Sequence, residues 1–198
     1  MPIKNVKNIT ALDNAFFLFF SVLALLKGQA TIFYMMYFFW WQELIRTMAD
    51  TAFLYKKRKI VEDWKTEIKK IYPRYFLLFI YLIFIVVFFG FIANWDNTDL
   101  VILNFEVLLF RNIFFDCNLI VFALNVFYRT FYIHEYKTID DAFNPRTIIM
   151  HISIILGAII SFFVVRRYPE IFVPGNMWAS VAIITPFLLL RVLIRSIK

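Results

Sequence analysis

An all-helical bundle of about six membrane-crossing helices, with one amphipathic helix at its edge, is the fold class this sequence predicts. Three observations lead there. The 198 residues are 62% hydrophobic and only 18% charged, against about 25% charged residues in a soluble domain. The apolar residues fall in runs near the ~20 residues that cross a bilayer. Lysine and arginine collect in the turns between those runs, as they do at a cytoplasmic membrane face. A mean hydropathy of +0.73 then describes lipid-facing surface, not an enlarged core. The whole chain, 1–198, reads as one transmembrane domain without internal repeats or linkers.

The first span is expected over 10–26. It follows a short basic start with Lys4 and Lys7 and has the outline of a signal peptide. Lys27 is poorly placed beside a cleavage site, so we read a retained helix ending in a tight Lys27-Gly28-Gln29 turn. The second span, 30–54, carries Glu43, Arg46 and Asp50 on one helical face. A charge at the bilayer centre costs at least ~2.5–3.5 kcal/mol, so that face must turn towards other helices or water. The span stops at the basic run Lys56-Lys57-Arg58-Lys59.

An amphipathic helix is expected over 60–72. Ile60, Val61, Trp64, Ile68 and Ile71 form one face, Trp64 sits at headgroup level, and Pro73 ends the helix. The third span, 75–93, is uncharged across its apolar run. The fourth, 100–128, is too long for a perpendicular crossing and carries a polar stripe of Asn104, Arg111, Asn118 and Asn125. Asn144 and Pro145 suit the cap and first position of the fifth span, 146–165. Pro174-Gly175 precedes the sixth, 176–194, which Pro186 should kink.

With both termini cytoplasmic, sixteen of the 21 lysines and arginines lie inside, three lie outside, and Arg46 and Arg111 lie within spans. The basic excess therefore points to a membrane surface, with anionic lipid along Lys56–Lys70, and not to nucleic acid. The single cysteine, Cys117, excludes an intramolecular disulfide and reads as a small buried hydrophobe.

Taken by depth, Glu43, Arg46, Asp116, Asn118 and His151 converge on one slab in the cytoplasmic half, and Glu106 with Arg111 forms a second polar pair. Four intramembrane acids, Glu43, Asp50, Glu106 and Asp116, face two bases. That imbalance calls for a proton, a cation, His151 as a cation or a metal, or a bound solute. A metal site on His151 with Glu43 or Asp116 would lack the second histidine expected of it. HExxH, a serine-centred elbow and a glycine-rich phosphate loop are all missing from the sequence, so no cofactor is indicated and an enzyme is the weaker reading. His134 lies in a loop. Ser153, Gly157 and Ser161, four residues apart, allow close helix packing.

The segments Trp40-Trp41-Gln42-Glu43 and Arg146 to Gly157, the latter with His151-x-x-Ile154-x-x-Gly157, resemble two recurring motifs of a bacterial polytopic membrane family known only as a domain of unknown function. The resemblance implies that Trp40 or Trp41, Glu43, His151 and Gly157 are the matching positions. It brings no activity. It does imply a multi-pass protein of the bacterial inner membrane. Three functions remain open: a small transporter or channel with a proton or cation site, a structural or accessory subunit assembling with itself or another membrane protein, and a membrane-embedded metal enzyme.

Overall fold

Side-chain caps mark where most helices begin. Thr31 Oγ1 accepts from the Tyr34 amide, and Asn97, Asn112, Asn144 and Asn176 each accept from the amide three residues on. Each cap satisfies one of the donors a first helical turn leaves free. In the computed structural model, which describes residues 15–59, 63–133, 139–172 and 176–196, these caps open five of the seven α-helices among the described residues. Lys4, Lys7, Ile60, Val61, His134 and the Pro174-Gly175 turn lie outside the described residues.

The helices are α1 (Ala15–Leu26), α2 (Ile32–Lys57), α3 (Trp64–Phe84), α4 (Thr98–Leu108), α5 (Ile113–Tyr128), α6 (Pro145–Ile159) and α7 (Met177–Ser196). Wider π-helical turns extend α3 over Ile85–Phe91, α5 over Arg129–Ile133 and α6 over Ile160–Val165. The stretches Trp64–Asn94, Thr98–Tyr132 and Thr147–Val165 are long and apolar enough to cross a membrane, and Ala15–Leu26 and Trp178–Leu190 are shorter apolar helices.

α2 is the axis of the bundle. Every residue from Phe33 to Trp40 is buried, the mark of a helix surrounded on all sides. α1 runs antiparallel to it, with Phe17 stacked on Phe38 at 5.2 Å. α3 is also antiparallel: Trp40 Nε1 donates to the Leu78 carbonyl at 2.7 Å. α5 runs parallel to α2, with Tyr34 against Phe115, Arg46 over Phe122 and Lys56 over Phe131. α6 presents Ser153, Gly157 and Ser161 on its buried side. A Cβ on Gly157 would lie 3.1 Å from the Phe89 ring and 3.3 Å from Ile32, so glycine permits this approach.

The expected helix end at Pro73 does not occur. α3 runs through Pro73, which lies on its exposed side. A mid-helix proline costs ~3 kcal/mol, and contacts on both sides of it hold the helix together across that position. Below it, Glu67 accepts from Lys70 Nζ and from the Ile139 amide, both at 2.8 Å, and Ile71 packs on Leu54 and Ile139. Above it, Arg74 is anchored to α2. The amphipathic segment therefore does not lie separately on its apolar face. It turns Glu67, Ile71 and Arg74 towards the bundle, with Trp64 half-buried.

The expected fourth span is likewise two helices. α4 ends in a Schellman motif: the Arg111 amide donates to the Glu106 carbonyl and the Phe110 amide to that of Val107, with Phe110 left-handed at φ 56°. Gly28, at φ 66°, ends α1 the same way. Asn104 on α4 accepts from Thr31 Oγ1 and donates to the Phe89 and Gly90 carbonyls, which the π-helical turn leaves within reach. Asn112, past the end of α4, reaches Gln29 at 3.5 Å. Both contacts lie at the same end of the bundle, so α4 lies across that end. Its 11 residues rise about 16 Å, whereas residues 113–133 alone rise about 31 Å.

Candidate functional site

Three polar groupings emerge, where the sequence suggested one slab. The first joins α2 to α3. Arg74, with its side chain 1% exposed, places Nη2 at 3.0 Å from Glu43 Oε1 and Nη1 at 2.8 Å from Asp50 Oδ2. Arg46 approaches Glu43 Oε2 at 3.7 Å and lies over the Phe122 ring at 5.0 Å. Two carboxylates thus meet two guanidinium groups, and the group is formally neutral. Thr47 and Thr51 return their hydroxyls to the carbonyls one turn back, and Thr51 also meets Tyr75 Oη at 3.2 Å.

By sequence alone Arg74 falls among the sixteen bases assigned to the cytoplasmic side. Its signal was present in the sequence: Glu67, Ile71, Arg74, Leu78 and Tyr81 follow a helical period, but only if the helix continues past Pro73. With Arg74 included, the apparent shortage of positive charge around α2 disappears.

The second grouping holds Asp116 and Asn118. Because α5 begins at Ile113, Asp116 is in its first turn. It stands level with Tyr34, about 13 Å along α2 from Glu43, at the opposite end from the expected slab. The Tyr34 hydroxyl faces both Asn118 and Asp116. Tyr34 and Asn118 are buried, and Asp116 is half-buried with Oδ1 enclosed. The antiparallel register that pairs Phe17 with Phe38 brings Ser21 of α1, also buried, to the level of Tyr34. Ser21 Oγ, Tyr34 Oη, Asp116 Oδ1 and Asn118 Nδ2 are all enclosed; Tyr34 and Asn118 lie within reach of each other, and Ser21 Oγ and Asp116 Oδ1 close no hydrogen bond among the described residues. Leaving such a group unbonded costs roughly 1–3 kcal/mol. Trp41 Nε1, Glu43 Oε2, Arg74 Nε, Asn125 Oδ1 and Ser153 Oγ are enclosed and unbonded as well among the described residues. This cluster differs in that its carboxylate forms no ion pair among them.

The third is His151, which stands apart from both. It sits on the exposed side of α6, and its Nδ1 is 2.6 Å from Tyr81 Oη on α3. The Glu106 and Arg111 side chains form no ion pair with each other among the described residues, since the turn at Phe110 carries Arg111 to an exposed position. Asn125, last in the expected stripe, keeps Oδ1 enclosed and unbonded among the described residues. The described residues contain no group of three histidine, cysteine, aspartate or glutamate side chains arranged to hold a metal ion.

Compared with protein-family models, with curated proteins and with solved structures, the chain matches none.

Proposed function

We propose that this chain is a multi-pass protein of a bacterial inner membrane that acts as a small transporter or channel, with a proton or small cation held at Asp116. The basic end of α2 faces the cytoplasm in this reading, by the positive-inside rule. The polar cluster of Ser21, Tyr34, Asp116 and Asn118 then lies towards the opposite surface.

One observation carries the reading. The Asp116 carboxylate, with one oxygen enclosed, forms no ion pair among the described residues, whereas Glu43 and Asp50 are both paired with Arg74, although Glu43 Oε2 is itself enclosed and unbonded. A carboxylate within a membrane that lacks a fixed counter-charge takes up a proton or a cation. The Tyr34 hydroxyl and the Asn118 amide beside it supply a ligand oxygen each and can donate to an ionised carboxylate. The Glu43–Arg74–Asp50 group, already balanced, serves to join α2 and α3.

Liposomes holding the purified protein and a pH-sensitive dye test this under imposed proton, sodium or potassium gradients. Flux above that of empty liposomes, lost in Asp116→Asn and partly kept in Asp116→Glu, supports the reading. Equal flux in the parent and in Asp116→Asn, with both proteins folded, ends it.

The second reading is a structural or accessory membrane subunit. It draws on the Glu43, Arg46, Asp50 and Arg74 group, whose two acids and two bases offset one another in charge without a solute. It expects no flux under any of the three gradients.

A further inference from the structure

An open groove of about 510 Å³ runs along α5 and its π-helical extension, where they meet the end of α2. Its walls are Leu124, Phe127, Tyr128, Phe131 and Tyr132, and Lys56 is the charged one among the described residues that line it. From this arrangement we infer that the groove is a binding site for one anionic phospholipid, with an acyl chain along the aromatic wall and the phosphate at Lys56.

The groove has two chemically different ends. Leu124, Phe127 and Tyr128 are exposed along one side of α5, an apolar strip left open among the described residues. The rings of Phe127 and Phe131 stack at 6.1 Å, and those of Tyr128 and Tyr132 at 5.5 Å. Two parallel ring pairs thus make a track along the helix axis. At the far end the Lys56 ammonium stands 5.3 Å from the centre of the Phe131 ring. That contact holds the charge in place through the ring face, and the ammonium can still donate to an anion.

Lys57, Arg58 and Lys59 follow directly in the chain and add positive charge at the polar end. The tyrosines lie where the apolar track gives way to that charge, the position aromatic residues take at a bilayer surface. Charge complementarity therefore selects a lipid with a net negative headgroup over a zwitterionic one, and the apolar track distinguishes a lipid from a free phosphate. The inference requires membrane insertion. It does not depend on Asp116, whose cluster lies near the other end of α5.

Native mass spectrometry of the detergent-solubilised full chain tests it with phosphatidylglycerol, phosphatidylcholine and inorganic phosphate as probes. Phosphatidylglycerol should be retained several-fold better than phosphatidylcholine, and millimolar phosphate should not displace it. Lys56→Gln should lower phosphatidylglycerol retention about fivefold, the equivalent of ~1 kcal/mol for one charge near an anionic surface. Phe127→Ala should weaken retention of both lipids. Displacement by inorganic phosphate would overturn the proposal in favour of a simple anion site. Equal retention of the two lipids, or no change in Lys56→Gln, would also overturn it. So would a dimer that Phe127→Ala dissociates, because a second copy would then occupy the groove.

Discussion

Arg74 and Glu43 lie 31 residues apart in the chain and 3.0 Å apart in space, with both side chains withdrawn from solvent. Asp50 takes the other guanidinium nitrogen of Arg74 at 2.8 Å. One arginine thus binds two turns of α2 to α3 at the place where Pro73 removes a backbone hydrogen bond.

Removing Arg74 should therefore damage the fold more than removing Arg46. Truncating one member of a buried pair costs ~3–5 kcal/mol, because the survivor stays buried and charged. Arg74→Ala is expected in that range. Arg46 is 23% exposed and stands 3.7 Å from Glu43, so Arg46→Ala should cost about 1 kcal/mol, nearer to an exposed pair. Adding Glu43→Gln and Asp50→Asn to Arg74→Ala should restore part of the loss. Unfolding in mixed micelles, followed by helical circular dichroism, orders these variants. An Arg46→Ala protein less stable than Arg74→Ala would refute the assignment.

Gly157 offers a steric test. Its missing Cβ would stand 3.1 Å from the Phe89 ring and 3.3 Å from Ile32. Gly157→Val should overpack this contact by ~1–3 kcal/mol, and Gly157→Ala by less. Combining Gly157→Val with Phe89→Leu should recover stability, since the smaller side chain vacates the space. If the double variant melts no higher than Gly157→Val alone, the α6 face does not pack as described.

Labelling from one side of the membrane separates α4 from a continuous fourth span. In a single straight helix Asp99 and Arg111 would differ in depth by about 18 Å. In the fold both are exposed at the same end of the bundle. With Cys117 replaced by serine, single cysteines at Asp99, Arg111 and Tyr168 should all react with an impermeant reagent added to intact cells. Cysteines at Lys57 and Asp140 should react only after permeabilisation. A protected Arg111 position would restore the long helix, and labelling of Lys57 from outside would reverse the orientation.

Much of the architecture could be read from single positions. Asn144 and Pro145 announced the start of α6, and Gly28 the turn after α1, because caps and left-handed turns depend on one or two residues. Gly157 and its neighbouring serines indicated a close helix face for the same reason. Phe110 carried no such signal: a left-handed aromatic costs ~1–2 kcal/mol in isolation, and its ring makes contacts with Trp41 and Phe115 that no local pattern contains.

The sequence by itself determined that the chain is helical, that its apolar runs suit a bilayer, and that the charged face of α2 must turn inward. These follow from composition, helical period and the cost of burying charge. Only the tertiary structure decided which groups meet. Helical period assigns a residue to a face but does not say which helix stands opposite. Glu43 found Arg74 as its partner because α3 continued through Pro73, and Asp116 left the slab expected around Arg46 for the other end because α5 began at Ile113. In each case contacts between residues far apart in sequence outweighed a local preference of a few kcal/mol, and those contacts exist only once the helices have packed.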